Sequence, residues 1–183
     1  MSKINPIRFK SKSGKSIAIR SAEPADAATL LRLGKSVMAE DGYTLTTPEE
    51  FSLTVEEEVK WIEEINAHPS KLVVVAVLDS QVIGSLDFSP GHRKRIAHTG
   101  EFGMSISHDH REDGIGYQLL RVLLDWACTH AEIEKIYLKV HATNERAIRL
   151  YQKCGFLEEG RFAKDLKLGD DSYADTVVMS RFV

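Results

Sequence analysis

The fold is decided by the stretch Arg111–Tyr117, which reads Arg-Glu-Asp-Gly-Ile-Gly-Tyr. Residues 101–107 before it alternate as a strand does, and the apolar residues after it recur at helical spacing. A glycine-containing turn therefore joins a strand to the start of a helix. At such a turn, unpaired backbone N–H groups and glycines without a Cβ let a phosphate come close. Arg111 adds positive charge at the entrance, so the stretch predicts a pyrophosphate cradle.

The R-x-x-G-x-G pattern also has a second interpretation, a glycine-rich loop that only closes a strand-to-helix connection. Two better-known phosphate motifs are excluded. The chain has no G-x-x-x-x-G-K-[ST] sequence, so the turn is not a P-loop, and Gly114 and Gly116 lack the third glycine of the dinucleotide fingerprint. The choice between cradle and plain loop depends on a second motif, which lies further along the chain.

Composition limits the class of protein. The 183 residues, with 43% hydrophobic and 28% charged, are typical of one soluble globular domain. A net charge of −3 argues against nonspecific nucleic-acid binding, and no apolar run is long enough to span a membrane. The N-terminus lacks a signal-peptide core, and Cys128 and Cys154 form no metal or disulfide pattern. We expect a cytoplasmic protein without nucleic-acid or membrane partners.

The order of elements predicts a single α/β domain over 15–183 after a flexible segment at 1–14. A strand at 71–78 turns tightly into a second at 82–88, and Thr54 with Glu57 forms a capping box at a helix start. The strand before the cradle, its helix and a strand at 134–140 form a βαβ unit, so these two strands pair in parallel. The other predicted elements are a strand at 16–20, helices at 24–40 and 144–154, and a closing hairpin of 161–168 with 173–183.

A second motif lies downstream of the cradle, Asn144-x-x-Ala147-Ile148-x-Leu150-Tyr151-x-Lys153-x-Gly155-Phe156. With the cradle, in this order and spacing, it resembles the GNAT superfamily of acetyl-CoA-dependent N-acetyltransferases. The hairpin with Ile83-Gly84 and the closing segment that ends at Arg161 also resemble that family. The C-terminal part is most similar to the spermidine and ribosomal-protein N-terminal acetyltransferase branches.

The resemblance implies a fold, an activity and a cofactor site. The fold is a mixed, mostly antiparallel sheet with a central parallel strand pair splayed around the cofactor and helices on both faces. The activity is transfer of an acetyl group from acetyl-CoA to a primary amine by direct attack in a ternary complex. The Met104 N–H would polarise the thioester carbonyl, and Ile106 lies where the pantetheine arm would pair with the strand end. The pyrophosphate would bind the cradle residues Arg111, Glu112, Asp113, Gly114, Ile115, Gly116 and Tyr117.

Three residues have both a chemical and a structural interpretation. Glu101 is the predicted base that deprotonates the amine, directly or through water, or else a strand carboxylate that faces solvent or pairs with Arg93–Arg95. Tyr151 is the predicted acid for the departing thiolate, or else a packing residue of the helix. Asn144 binds the pantetheine arm or simply caps the helix. We predict no metal site, because His108 and His110 diverge on an extended segment, and Cys154 is interpreted as a buried thiol.

The acceptor is the least determined feature. The helix after Thr54 carries an acidic face, which is either solvated or a wall that attracts a cationic amine such as a polyamine, an amino acid or a peptide N-terminus. A homodimer through the edge of the closing hairpin is a further possibility. The alternative function is a non-catalytic acyl-CoA-binding regulatory domain, and a nucleotide-binding module is a third. The acidic face of the helix after Thr54 consists of Glu56, Glu57, Glu58, Glu63 and Glu64.

Overall fold

The computed structural model describes residues 3–183, except for the side chains of residues 40 and 41. In this part of the chain, one eight-stranded sheet is flanked by four helices. The strands are β1 Ile7–Lys10, β2 Ser16–Ser21, β3 Leu72–Leu78, β4 Gln81–Pro90, β5 Thr99–Ile106, β6 Lys135–His141, β7 Leu157–Gly169 and β8 Ser172–Phe182. The helices are α1 Ala27–Asp41, α2 Val55–Ala67, α3 Ile115–Cys128 and α4 Glu145–Lys153.

The sheet is mixed and mostly antiparallel, as predicted. Its strand order is β1-β2-β3-β4-β5-β6-β8-β7, and β5 with β6 is the parallel pair. The predicted capping box is present, because Thr54 accepts from the backbone N–H of Glu57, whose carboxylate in turn accepts from the Thr54 N–H. Asp79 and Ser80 adopt positive φ in the tight turn between β3 and β4, the backbone that a two-residue hairpin requires.

The parallel pair separates after three residue pairs, the last of which joins Glu101 to Tyr137. Beyond that point β5 stays paired with β4 as far as Ile106, and β6 stays paired with β8 as far as His141. Each of the two diverging strands is therefore held in place by its other neighbour in the sheet. The predicted splay is confirmed.

Helices cover both faces of the sheet, which is also confirmed. On β3, Leu72, Val74 and Ala76 belong to one buried cluster with α3 and α4, while Val73 and Val75 belong to a second cluster with α1 and α2. This alternation follows from the period of two along a strand. The near-continuous apolar sequence of β3 is thus explained by burial on both faces.

The boundaries differ from the sequence-based expectation most clearly at two places. Residues 7–10, expected to be flexible, form β1 paired antiparallel with β2, because Ser11 and Lys15 close a tight turn between them. Strand β7 begins at Leu157 rather than 161, since the chain continues from the end of α4 directly into pairing with β8. The division of the chain at residue 14 stays a prediction.

Candidate active site

The slot between the diverging strands is a cavity of about 590 Å³. One wall is β5 from Phe102 to Ile106, and the other is β6 from Leu138 to His141. The start of α3 and the inner face of α4 close it on one side of the sheet. A slot of this size and shape suits the thin pantetheine arm of a cofactor.

The predicted cradle forms one end of this slot. Gly114 has φ +90°, so it adopts the left-handed backbone that glycine tolerates, and α3 begins at the next residue. At Gly116 a Cβ would lie 3.0 Å from side-chain atoms of both Ile106 and Leu150. Gly116 thus lets Ile106 and Leu150 pack close to α3, and among the described residues nothing lies within 4 Å of a Cβ built at Gly114. The N–H groups at the start of α3 favour a phosphate.

The cradle side chains do not all face the slot. Ile115 is 1% exposed and packs in the core, so its predicted contact with the cofactor concerns only its backbone. The Asp113 carboxylate accepts hydrogen bonds from the backbone and the hydroxyl of Ser13, which lower its pKa. The Nε of Arg111 donates to the carbonyl oxygen of Ile106 at 3.1 Å, which ties the cradle to the end of β5. Glu112, at φ +60°, and Tyr117 line the slot.

The backbone of β5 presents alternate residues to the slot. The Ser107 N–H bonds to Ile83 on β4, and along an antiparallel ladder such bonds recur at every second residue. The peptide groups of Met104 and Ile106 therefore face the other way, toward the gap left by β6. The Met104 N–H therefore faces the slot, and its role as an oxyanion donor stays a prediction.

Glu101 lies at the point where the strands separate. It is half-buried and opposite Tyr137. Burial first, and then the charge of Glu101 and a hydrogen bond with it, raise the pKa of Tyr137. Among the described residues no ion pair joins Glu101 to the basic loop at 93–95, so the structure favours neither that pairing nor a fully solvated carboxylate.

Tyr151 reaches the slot from α4 on the opposite face of the sheet. It is 8% exposed, and its ring packs edge-on against Phe102 with centroids 5.8 Å apart. Burial raises its pKa to about 12, with a smaller contribution from Cys154. Tyr151 is therefore both a packing residue and a neutral phenol at the slot.

Two other predictions concern α4. The Asn144 side-chain oxygen accepts from the Ala147 N–H at 3.2 Å, so its capping role is confirmed. Since Asn144 also lines the slot, a contact with the pantetheine arm would come from its amide group. Cys154 is buried, and burial raises the pKa of its thiol.

His108–His110 form a turn of 3-10 helix rather than the extended segment expected from the sequence.

Sequence reasoning missed several residues around the slot. Lys10 and Lys12 line it because the turn after β1 lies against the cradle, with the Lys12 N–H bonded to the Asp113 carbonyl. His141 is 6% exposed and contacts the Tyr43 ring edge-on, and its Nε2 has no hydrogen-bond partner among the described residues. Asp87 is the one with a sequence signal, because Ser85, Asp87 and Ser89 alternate as a polar row in an otherwise buried strand.

Comparison with known proteins decides the family. Residues 38–156 match the model of the acetyltransferase (GNAT) family, which is more than half of the chain. The chain belongs to the GNAT acetyltransferase family. It is an acyltransferase, as predicted, and acetyl-CoA is the co-substrate that fits this family. The predicted fold is also confirmed at the level of the whole chain.

Two curated relatives illustrate the match. The chain is 29% identical to an L-amino acid N-acetyltransferase of Escherichia coli over 121 residues, which is 66% of this chain and 74% of that protein. It is 36% identical to a spermidine N(1)-acetyltransferase of Vibrio cholerae over 70 residues, which is 38% of this chain and 40% of that protein.

Solved structures share the fold over almost the full length. An acetyltransferase of the GNAT family from Streptococcus pneumoniae has a TM-score of 0.88 at 27% identity, covering 91% of this chain and 99% of that one. An acetyltransferase from Salmonella typhimurium, solved with its cofactor acetyl-CoA, has a TM-score of 0.81 at 20% identity, covering 91% and 93%. The second likeness shows the fold alone.

Proposed function

We propose that this GNAT protein acetylates a primary amine by direct attack on acetyl-CoA in a ternary complex. One observation carries the proposal: at the point where β5 and β6 separate, Glu101 and Tyr151 lie on opposite faces of the sheet. Glu101 is on the α1 and α2 side, and the residue after it, Phe102, contacts Tyr151 on the α4 side. A base can therefore meet the incoming amine while an acid meets the departing sulfur.

The proton transfers balance across this arrangement. The amine arrives as an ammonium and gives one proton to Glu101, directly or through water. The neutral nitrogen attacks the thioester carbonyl, whose oxygen develops negative charge beside the Met104 N–H. The carbon–sulfur bond then breaks as Tyr151 gives its proton to the leaving sulfur. The nitrogen sheds its second proton to solvent, and solvent returns one proton to the Tyr151 phenolate, so that the protons balance.

The cofactor contacts proposed for this mechanism follow the slot. The pantetheine arm would lie along Met104 and Ile106 with Asn144 beside it, and the pyrophosphate would lie on the cradle residues 111–117. Lys10 and Lys12 support the proposal, since they add positive charge at a cradle that carries Glu112 and Asp113. A cationic amine is the proposed acceptor class. The carboxylates of Glu58 and Asp87 line a cavity on the α1 and α2 side of the sheet, and no arginine of the described chain lines it.

The expected result for the purified protein is release of coenzyme A thiol that depends on both acetyl-CoA and a primary amine. The products are measured together, the thiol by a colorimetric reagent and the acetylated amine by mass spectrometry. A tertiary amine, which cannot form an amide, serves as the control. Tight acetyl-CoA binding without product from any amine would support the regulatory alternative instead.

Location and assembly stay proposals. Over residues 3–183 no helix combines the length and the apolar character needed to cross a membrane. We propose a cytoplasmic protein, and a homodimer through the closing hairpin. The mostly exposed edge strand β7, which carries Leu157 and Phe162 with 74% and 51% exposure, supports the second proposal.

A further inference from the structure

A smaller cavity of about 130 Å³ lies behind the slot, on the α1 and α2 side of the sheet. Ser105 on β5 lines both cavities, so they are neighbours across one strand. The walls of the smaller cavity are mostly apolar, and they include Leu30, Leu31, Phe51 and Trp61. Its charged residues are Glu58 from α2 and Asp87 from β4.

Glu58 differs from the rest of the acidic helix. It is 9% exposed, whereas Glu56, Glu57, Glu63 and Glu64 are exposed to solvent. It lies one turn before Ile62 on the inner face of α2, which explains its burial. Within residues 3–183 its carboxylate has no hydrogen bond and no ion pair. The acidic face predicted from the sequence is therefore solvated except at Glu58, which points into the cavity.

Asp87 faces the same cavity from the sheet. A Cβ on Gly103 would lie 3.1 Å from its Oδ1, so Asp87 lies directly beside β5 at the slot, one residue before Met104. Burial first, and then the charge of Glu101, raise the pKa of Asp87 to about 6. Burial and the charge of Asp87 likewise raise the pKa of Glu58. The facing segments of α1 and of the loop at Phe51 contribute apolar residues only.

Two ionised carboxylates in an apolar cavity are unfavourable unless they take up a proton, to which their raised pKa values correspond, or a cation lies between them. No lysine or arginine lines this cavity in the described chain. The remaining source of a cation is a ligand, and the position of Asp87 beside Gly103 points to the acceptor. The apolar walls fit methylene groups, and Trp61 can face a cation with its ring.

We propose that Glu58 and Asp87 bind a second protonated nitrogen of the acceptor, so that the preferred acceptor is a diamine with a short aliphatic chain. The proposal rests on the amine acetylation proposed above. The first nitrogen reacts beside Glu101 and Met104, and the second stays charged between the two carboxylates. An acceptor with a carboxylate near its amine, such as an ordinary amino acid, would be repelled from this cavity.

The test compares 1,4-diaminobutane with n-butylamine, which differ only in the second nitrogen. The native protein is expected to prefer the diamine in kcat/KM by about tenfold or more, the worth of one charge-assisted contact. Glu58→Gln and Asp87→Asn should bring that ratio toward one. Glu63→Gln, an exposed glutamate on the same helix, should keep the native ratio.

Equal turnover of both amines by the native protein, or a diamine preference that survives Glu58→Gln, would overturn the inference without touching the proposed function. Faster turnover of amino acids than of either amine would also overturn it. Acetylation of no amine at all would instead contradict the proposed function.

A thermal-shift measurement keeps the inference testable if a variant is poorly active. Because the folded state holds the proton of Asp87 more tightly than the unfolded state, the Tm of the free native protein should fall relative to that of Asp87→Asn as the pH rises from about 4 to 6. Above pH 6, 1,4-diaminobutane should raise the native Tm more than n-butylamine does. An equal shift with both amines would contradict the site.

Discussion

Tyr151→Phe is expected to lower kcat by about 100-fold while acetyl-CoA affinity stays within a few-fold of native, since a general acid contributes roughly 10²–10⁴ in rate. The substitution removes only the hydroxyl. The ring that packs against Phe102 and Phe156 remains, so the core around α4 is preserved. Steady-state kinetics with saturating amine and calorimetric acetyl-CoA binding measure the two quantities separately.

The matched control is Tyr173→Phe, which removes a hydroxyl from a tyrosine that is 46% exposed in the closing hairpin. That variant should keep native kcat. The raised pKa of Tyr151, about 12, also implies that its ionisation produces no loss of activity below pH 10. A Tyr151→Phe enzyme with native kcat would leave Tyr151 with its packing role alone.

Glu101→Gln is expected to lower kcat/KM for the amine by about 100-fold at pH 7, because the glutamine cannot accept the ammonium proton. The amide keeps the size of the side chain and can still bond to Tyr137 across the strands. The defect should shrink as the pH approaches the pKa of the amine, where the acceptor arrives already neutral. A merely structural role for Glu101 would give a defect of the same size at every pH.

The control for this profile is Glu134→Gln, which removes an exposed carboxylate just before β6 and should leave the profile unchanged. If Glu101→Gln turns over normally at pH 7, the base is another group or bulk water. Asp87, on the same face of the sheet, would then be the next carboxylate to test.

The sequence predicted the features that depend on local patterns. The turn at 111–117 follows from its glycines, and the start of α2 follows from Thr54 and Glu57. The order strand, helix, strand around the cradle fixes the parallel pairing of β5 and β6. The slot follows from the divergence of these two strands, which was expected from the family resemblance and not from a local pattern.

Other features depend on contacts between distant segments, which local patterns do not encode. Ser13 bonds to Asp113 across 100 positions of sequence, so the role of the first hairpin beside the cradle has no local signal. The inward position of Glu58 is different, because its spacing to Ile62 and Ile65 places it on the apolar face of α2. The signal that was missed is the helical spacing that separates Glu58 from Glu56 and Glu57 beside it.

Calorimetric titration of the native protein with acetyl-CoA, and separately with CoA and ATP, tests the central claim that the slot and cradle bind this co-substrate. We expect saturable, one-to-one binding of acetyl-CoA, comparable binding of CoA and no response to ATP, because only the first two carry a pantetheine arm for the slot. Absence of acetyl-CoA binding, or tighter binding of ATP, would contradict the assignment of residues 111–117 and the mechanism built on it.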